Sequence, residues 1–376
     1  MNLHGDLPPV GNKISLEAAS ENKLAELLPA YQYWVDSGTS ALALALDDAK
    51  NSFPHLARPR AIIPGYCCPD LVAACVFAGV EPVAVDIARN DPAYDLESLR
   101  TVMDETIVAV IAINFLGVNE RIAQISELIA HLGLQARLVV DNAQWFPVSQ
   151  TQMKFDADYV TFSFGRGKPL SLLGGGLLQS KTPLDKKLLQ KIEEPTDKPA
   201  LVKLKARAYN LLLIPQFYIL LNRNPFMRLG ETKYSPLEKI TRMDDYRLSL
   251  VTENFECYSQ CDDHLQQEYN REIPDGLQQF SAVYSDRCQR LLRYPLLCPD
   301  SQARDTLLTS MQKEGLGATA MYKVAIDQIE GVAGLVSVPR PLNNAKSFAS
   351  RFMTLPVHSG VGLAFQKKIL SLLKSK

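Results

Sequence analysis

A lysine and an aspartate lie in two short segments of this sequence whose residue types could carry out amino-group chemistry. Lys168 lies in FSFGRGKPLSLLGGG, and Asp141 directly follows the apolar run RLVV, with Gln144 three residues later. A lysine amine can form a Schiff base with the aldehyde of pyridoxal phosphate, and a carboxylate can keep the ring nitrogen of this cofactor protonated. Most lysines are solvated surface charges, and an aspartate at a strand end can also cap a helix or bind a metal. The neighbouring segments decide between these interpretations.

The segment DSGTSALALALDDAK contains a candidate phosphate site. Gly38, Thr39 and Ser40 lie at the start of an alanine- and leucine-rich helix pattern. Backbone N–H groups and hydroxyls at a helix N-terminus bind anions, although the same residues could simply form a Ser/Thr N-cap. Ser163 ends the run YVTFS five residues before the lysine, so its hydroxyl could contact the same phosphate. The glycines at 174–176 would let the returning backbone pass close to the cofactor, or would simply form a tight turn.

The elements that must position these residues follow from the apolar pattern. Between about residues 35 and 180, short apolar runs alternate with helical patterns. The continuous Val, Ile and Ala runs imply strands buried on both faces, as in a mostly parallel sheet between two helical layers. The sequence thus predicts a three-layer αβα domain, whose ligand site lies at the carboxyl ends of its strands, near Asp141 and Ser163. The predicted strands are 61–64, 81–87, 106–114, 137–141 and 157–164, and the predicted helices are 71–80, 95–103 and 120–133.

Composition places the chain among ordinary globular enzymes. Its 376 residues are 47% hydrophobic and 22% charged, with a formal net charge of -1. This charge offers no global attraction to nucleic acid or to an anionic membrane. Seven cysteines without CxxC spacing favour reduced thiols, and five histidines without metal spacing give no support to a metal site. The N-terminus shows no basic segment followed by an apolar one, so a cytoplasmic location is expected.

Taken together, these motifs resemble the DegT-type sugar aminotransferases, a family of pyridoxal-phosphate enzymes with the aspartate aminotransferase-like fold. The resemblance covers most of the chain in the same order: SGTSALALAL, IIPGYCCPDLVAACVFAGVEPVAVDI, VVDNAQ, FSFGRGKPLSLLGGG, and a C-terminal block from RDTLLTSMQKEGLGATAMY to TLPVHSGV. Each motif alone is weak, but the combination is specific, above all D-x-A-Q followed by S-F-x-x-x-K. The resemblance implies fold type I, with a large cofactor-binding domain at 1–242 and a smaller C-terminal α+β domain at 243–376.

The resemblance also implies a role for each matching residue. Lys168 would bond to the cofactor and, once displaced by an amino donor, move a proton between the donor's α-carbon and the cofactor. Asp141 would pair with the pyridinium nitrogen, and Gln144 would lie near the phenolic oxygen. The residues implied at the phosphate are Gly38, Thr39 and Ser163, with Ser40 as a weaker candidate.

Three further positions have counterparts in the family. An aromatic residue after the second strand usually stacks on the cofactor ring, and the candidates here are Tyr66 and the non-aromatic Cys68. Tyr66 is preferred, because a flat ring supplies the face contact that a thiol cannot. Tyr322 stands where the family has an aromatic residue near the substrate, and His358 lies in a similar Leu-Pro-x-His stretch. Either tyrosine could instead be a core residue, and His358 is expected to be structural.

One segment departs from the family pattern. The family commonly has Asn-x-Arg-Met, whose asparagine approaches the phosphate from the partner subunit. The nearest segment here is Asp245-Tyr246-Arg247-Leu248. A carboxylate that faces a phosphate repels it unless Arg247 or a proton compensates. The sequence leaves open whether Asp245 takes this position.

A second departure is an apparent insertion at about 185–242. Its apolar run LLLIPQFYILL is interrupted by Pro215 and Gln216 and is too short to span a bilayer as one helix. The insertion could be a helical pair packed on the core or at a dimer interface. Alternatively, residues 203–228 could form an interfacial patch that contacts a membrane or a lipid-linked substrate. The basic flanks of this patch are Lys203, Lys205, Arg207, Arg223 and Arg228.

The sequence therefore predicts a pyridoxal-phosphate-dependent aminotransferase that moves an amino group from an amino acid, expected to be glutamate, to a keto or aldehyde acceptor. The family makes a nucleotide-linked keto-sugar for surface polysaccharide biosynthesis the leading acceptor, and the fold implies a homodimer. A dehydratase or lyase on the same fold would use the same site, but related sugar dehydratases replace the lysine by histidine. A non-catalytic scaffold or regulatory protein is the remaining alternative, and intact Lys168, Asp141 and Ser163 weigh against it.

Overall fold

The computed structural model describes residues 5–19, 24, 28, 31–149, 152, 156–222, 232–280 and 285–375. They fold around a seven-stranded sheet with the strand order β1-β7-β6-β5-β4-β2-β3. Strands β2 to β6 run parallel, whereas β7 pairs antiparallel with both β6 and β1. The strands are β1 (Tyr31–Val35), β2 (Arg60–Pro64), β3 (Glu81–Val85), β4 (Ile107–Ile113), β5 (Arg137–Asn142), β6 (Tyr159–Ser163) and β7 (Gly176–Ser180).

Helices connect these strands and continue beyond the sheet. In the described part of the chain they are α1 (Gly38–Asn51), α2 (Asp70–Ala78), α3 (Leu96–Val102), α4 (Ile122–His131), α5 (Lys186–Leu189), α6 (Pro199–Leu212), α7 (Pro215–Asn222), α8 (Asp245–Ser259), α9 (His264–Glu272), α10 (Ser301–Lys313), α11 (Asn343–Arg351) and α12 (Leu363–Lys374). A helix follows each of β2, β3 and β4 before the next parallel strand, as the alternating pattern predicts. The expected α/β fold with a mostly parallel sheet is confirmed.

The central strands are buried because their residues are apolar on both faces. In β4, every side chain from Ile107 to Ala112 is at most 1% exposed. α1 is also deeply buried, since its alanines and leucines let it lie against β6 and β7. Ser37 caps this helix, and its Oγ accepts a hydrogen bond from the backbone N–H of Ser40 at 3.0 Å. The strands β1 and β7 were not predicted, because YQYWV and GLLQS mix polar, aromatic and glycine residues.

The C-terminal part of the chain contains a second, smaller sheet. Here β8 (Tyr294–Leu297) pairs antiparallel with β9 (Phe352–Leu355), and α10 packs against β9, α11 and α12. All eight residues of the two strands are buried. This is the α+β character expected for 243–376, while the domain boundary near residue 242 stays a prediction.

The apolar insertion forms the two helices α6 and α7. Pro215 begins α7, where the missing N–H of proline leaves no hydrogen bond unmade. Some leucines of this pair face solvent, with Leu204 63% and Leu220 67% exposed. In the described residues, no helix combines the length and the apolar character that a membrane span requires. The predicted basic flanks Arg223 and Arg228 lie outside the described residues.

His358 joins the region after β9 to the N-terminal segment. Its side chain is buried, its Nε2 lies 2.9 Å from the carbonyl oxygen of Pro8, and its Nδ1 accepts a hydrogen bond from the N–H of Gly360 at 3.2 Å. These contacts suit a neutral ring that donates through Nε2. Burial lowers the pKa of His358 to about 4, against the opposing effect of the Pro8 carbonyl. His358 therefore has a structural role, since it links the N-terminal segment to the region after β9.

We expect His358 to make the protein less stable as the pH falls from about 6.5 to 4. In this window the unfolded chain binds a proton that the folded protein excludes, so the free energy of unfolding should fall by up to about 1.4 kcal/mol per pH unit from this group. His358→Gln should flatten this dependence, as measured by urea unfolding between pH 7 and 4. His131→Gln, at an exposed position, is the control. If the free energy of unfolding depends on pH in the same way for wild type and His358→Gln, the lowered pKa of His358 is contradicted.

Candidate active site

One pocket gathers most of the residues that the motifs single out. It lies at the carboxyl ends of β4, β5 and β6, where open α/β sheets bind ligands. The N-termini of α1 and α2 also reach it, so two helix ends direct their N–H groups towards this region. The predicted residues that line it are Gly38, Thr39, Asp141, Gln144, Ser163, Lys168 and Tyr322. The structure therefore brings together segments that lie up to 284 positions apart, from Gly38 to Tyr322.

Lys168 lies in the loop that leaves β6 and returns as β7. Gly167, directly before it, has a φ of +71°, a conformation that favours glycine. The backbone N–H of Lys168 donates to the carbonyl oxygen of Gly165 at 3.3 Å, which folds the loop back on itself. The side chain is partly buried and lines the pocket, and its Nζ makes neither a hydrogen bond nor an ion pair with any described residue. The amine is available for chemistry.

Asp141 ends the apolar part of β5 and is only 7% exposed. Its Oδ1 accepts a hydrogen bond from the backbone N–H of Ala143 at 2.8 Å, and the Thr161 hydroxyl lies 3.5 Å away. No described Lys or Arg forms an ion pair with it. Burial raises the pKa of this carboxyl, while the Ala143 N–H and the charge of Lys168 oppose the rise. A buried carboxylate without a cation suits a ligand that brings a cationic N–H group.

Gln144 and Tyr322 form one wall of the pocket. The Oε1 of Gln144 accepts a hydrogen bond from the N–H of Leu116 at 3.1 Å, and its Nε2 donates to the Tyr322 hydroxyl at 3.1 Å. Burial raises the pKa of Tyr322 well above its usual value, so the phenol stays neutral. The backbone of Tyr322 is held by the Tyr66 hydroxyl, which donates to its carbonyl oxygen at 3.0 Å. The wall is thus fixed from both sides.

The predicted phosphate corner forms where α1 meets the end of β6. A Cβ added to Gly38 would lie 2.6 Å from the Cβ of Ser163, so only glycine allows this approach. Gly38, Thr39 and Ser163 all line the pocket. Ser40 does not line it, because its side chain is fully buried and its Oγ lies 2.9 Å from the Oγ of Ser37. Ser40 completes the N-cap of α1, and its contact with a phosphate stays a prediction.

Of the two candidates for the ring face, the structure puts Cys68 and not Tyr66 in the pocket lining. Tyr66 is 1% exposed and lies behind the pocket wall, with its ring packed edge-on against Phe348 at 5.0 Å and Tyr322 at 5.3 Å between centroids. The lining residue is Cys68, two positions further along the same turn. Burial raises the pKa of the Cys68 thiol to about 12, so it presents a neutral, polarizable sulfur to the pocket.

Asp70 is a pocket residue that sequence reasoning missed. It begins α2 and is exposed at the pocket, where its charge contributes to the raised pKa of Asp141. An acidic residue in the first turn of a helix is common, because it interacts favourably with the helix dipole. That ordinary role left no signal in the sequence that distinguished Asp70 from other helix starts.

The segment that departs from the family pattern is held within its own subunit. The guanidinium of Arg247 forms ion pairs with Asp244 at 2.5 Å and Asp197 at 2.7 Å, and its Nε donates to the carbonyl oxygen of Leu172 at 3.2 Å. Asp245 is exposed in the first turn of α8. Arg247 is therefore already neutralised by two carboxylates, and it is not free to compensate the charge of Asp245.

Comparison with known families identifies the family of this chain. The model of the DegT/DnrJ/EryC1/StrS aminotransferase family matches residues 17–203 and 239–374. The chain belongs to this family. This DegT-family protein is a pyridoxal-phosphate-dependent aminotransferase. The matched ranges contain every predicted site residue, and the unmatched stretch 204–238 falls within the predicted insertion.

Solved structures with a fold similar to that of this DegT-family chain include two aminotransferases and a dehydratase. A DegT DnrJ EryC1 StrS aminotransferase from Brucella abortus has a TM-score of 0.68 at 20% identity, covering 94% of this chain and 88% of its own. PseC from Helicobacter pylori has a TM-score of 0.66 at 18% identity, covering 95% and 91%. The dehydratase ColD, a mutant with bound GDP-perosamine, has a TM-score of 0.66 at 15% identity, covering 94% and 91%. No curated protein matches the chain.

The pocket residues fit pyridoxal phosphate. The unpaired Lys168 amine can bond to its aldehyde, the buried Asp141 carboxylate lacks a cation that the ring nitrogen can supply, and the start of α1 with Ser163 offers donors to its phosphate. When bound, the cofactor supplies the carbonyl carbon that exchanges the amino group and a ring that withdraws electrons from the reacting carbon.

Proposed function

We propose that the protein transfers the amino group of L-glutamate to the keto group of a nucleotide-linked sugar, and that the amino-sugar product serves surface polysaccharide biosynthesis. The observation that carries the proposal is an unpaired Lys168 amine beside the buried Asp141 carboxylate in one pocket. The acceptor class is supported by structural neighbours, among them PseC, an aminotransferase involved in the biosynthesis of pseudoaminic acid.

Each pocket residue then has a defined task. Lys168 Nζ takes the proton from the donor's α-carbon and returns a proton to the product side, as a positioned general base and acid. Asp141 accepts a hydrogen bond from the ring N–H of the cofactor and stabilises its positive charge. The Ser163 hydroxyl and the first turn of α1, at Gly38 and Thr39, hold the phosphate.

The remaining lining residues orient the reacting groups. Gln144 accepts a hydrogen bond from the Leu116 N–H, and we assign it to the phenolic oxygen of the cofactor and Tyr322 to the substrate. Cys68 takes the position at the ring face in place of an aromatic residue. Because its thiol stays protonated, it contributes contact area without a thiolate that would compete for the aldehyde.

We propose a homodimer in which Asp245 does not approach the partner's phosphate. The family's cross-subunit position would place an exposed carboxylate against an anion, and Arg247 is occupied by Asp244 and Asp197. The contact of residues 203–228 with a membrane or a lipid-linked substrate is a prediction that rests on the exposed leucines of α6 and α7. A cytoplasmic location likewise stays a prediction.

A sugar dehydratase on the same fold is the second candidate, because ColD is a structural neighbour. Such an enzyme would use the same pocket but would remove water from the sugar. The presence of Lys168 favours amino transfer, since a lysine amine can both bond to the cofactor and move the proton at the donor carbon.

The test uses purified protein with added pyridoxal phosphate and isotope-labelled L-glutamate. Without acceptor, we expect about one 2-oxoglutarate per active site, because the amino group stays on the enzyme. A panel of nucleotide-linked keto-sugars is then added, and mass spectrometry follows the label. Label in an amino-sugar supports the proposal, whereas a sugar that has lost water without gaining nitrogen identifies the dehydratase. The absence of any 2-oxoglutarate would exclude glutamate as the donor.

A further inference from the structure

A second cavity adjoins the Lys168 pocket. Its volume is about 350 Å³, within the range of small-molecule sites. Tyr322 lines both cavities, and Arg166 and Gly167, directly before the lysine, line the second one. A ligand that fills this cavity therefore lies next to the reacting centre. None of the residues assigned to the cofactor lines it.

Part of the wall of this cavity comes from the insertion. Tyr209, Leu212 and Leu213 at the end of α6 and Tyr218 in α7 line it. All four lie in the stretch 204–238 that the family model leaves unmatched. The N-terminal segment from Pro8 to Val10 and residues 319–322 also line it. A stretch outside the family match thus contributes to this cavity.

The cavity is mainly apolar, but its lining includes Arg293, directly before β8. The Nη1 of Arg293 donates to the Thr319 hydroxyl at 3.2 Å, while its Nε is buried without an acceptor in the described structure. Neither Asp nor Glu is among the described lining residues, and no described carboxylate pairs with this guanidinium. Burial lowers the pKa of Arg293, yet arginine stays protonated in proteins. The cavity holds a cation without a counterion.

The other titratable groups around Arg293 do not neutralise it. Burial raises the pKa values of Tyr209 and Tyr218, so both are neutral phenols. His358 is neutral above a pH of about 4. Arg166 is exposed and adds a second positive charge at the lining. A partly buried, partly dehydrated cation of this kind is stabilised by an anion that binds beside it.

We propose that Arg293 binds an anionic group of the substrate whose amine or carbonyl reacts at Lys168, with the apolar wall of the insertion against the rest of that molecule. This inference rests on the proposed function and adds a recognition site to it. In either case the ligand carries a carboxylate or phosphate group, and the rest of the molecule is partly apolar or ring-shaped. The anion can belong to the amino donor or to the acceptor, and the two sources predict different results.

The experiment compares wild type, Arg293→Met and Arg293→Lys, each with pyridoxal phosphate bound. Calorimetric titrations use 2-oxoglutarate as the dicarboxylate probe and uridine diphosphate as the phosphate probe. Arg293→Met should weaken binding of one probe by at least about tenfold, as expected for a lost charged hydrogen bond. Arg293→Lys should lose less affinity for that probe, because lysine keeps the positive charge although it lacks the planar guanidinium group. Arg58→Met, which removes a charge from a side chain that is 82% exposed, is the matched control and should not change binding.

The two probes show whether the anion belongs to the amino donor or to the acceptor. Weaker binding of 2-oxoglutarate, with slower reaction of L-glutamate at low concentration, assigns Arg293 to the donor. Weaker binding of uridine diphosphate alone assigns it to the acceptor. Equal affinities in wild type and both Arg293 variants, or no binding of either probe to wild type, would overturn the inference. Failure of the proposed function appears differently, as absent amino transfer in wild type, while the titrations still report on Arg293.

Discussion

Lys168→Ala is expected to abolish amino transfer. The variant should lose the visible absorption band that a covalent bond between Nζ and the cofactor's aldehyde carbon produces, and its reaction with L-glutamate should slow by at least about 10³-fold, because a bonding partner and a general base are lost together. The measurement is a single turnover of enzyme with added pyridoxal phosphate, followed by absorbance and by 2-oxoglutarate release.

Fold and charge controls accompany this variant. Lys181→Ala removes an exposed lysine that pairs with Asp156 on the surface, so it should leave the band and the rate unchanged. The thermal unfolding of Lys168→Ala without cofactor should stay close to wild type, because Nζ makes neither a hydrogen bond nor an ion pair with the described residues. A Lys168→Ala protein that retains the band and the wild-type rate would remove the basis of the proposed function.

Asp141→Asn should have opposite effects on activity and on stability. The amide cannot hold a proton on the ring nitrogen, so the rate with L-glutamate should fall by about 10²- to 10³-fold, as for loss of a positioned electrostatic group. In the cofactor-free protein the same change should raise the melting temperature at pH 7. Burial raises the folded pKa of Asp141 above its unfolded value, so ionisation costs stability as the pH rises through that pKa.

The matched control is Asp70→Asn, since Asp70 lines the same pocket but is exposed. Asp70→Asn should change the rate with L-glutamate and the melting temperature of the cofactor-free protein much less than Asp141→Asn. Melting curves from pH 5 to 8 with and without pyridoxal phosphate separate the two effects. If Asp141→Asn reacts with L-glutamate as fast as wild type, Asp141 does not act on the ring nitrogen. If it melts lower than wild type without cofactor, the Asp141 carboxylate stabilises the cofactor-free fold.

The sequence predicted the parts of the site that depend on local pattern. Strands β2 to β6 are continuous apolar runs, and a polar residue at the end of such a run must stand at the sheet edge, which located Asp141 and Ser163. Lys168 was singled out by its segment and by the resemblance of S-F-x-x-x-K to the family motif, and its role stays a prediction. Adjacent positions in one tight turn were not resolved by pattern, since backbone geometry decides that Cys68 faces the pocket and Tyr66 faces the core.

Long-range packing explains what the sequence could not show. The Ser40 hydroxyl is used inside its own N-cap, a choice that depends on how Ser37 is oriented. Arg293 stands 125 positions after Lys168, in a segment without a motif, and only the folded chain places it in the cavity that adjoins the Lys168 pocket. The strand β7 is short and begins with glycine, so its place between β1 and β6 follows from pairing partners that are distant in sequence.

The cofactor pocket and the second cavity draw on different parts of the chain, and this difference bears on how such an enzyme can change during evolution. The cofactor pocket is built from the parts of the chain shared with the family, whereas part of the second cavity's wall belongs to 204–238. If the second cavity binds the substrate as proposed, mutations in that stretch would alter which molecule is accepted while the chemistry at Lys168 stays intact. The same separation makes 204–238 the natural region to randomise in a library that seeks new acceptors.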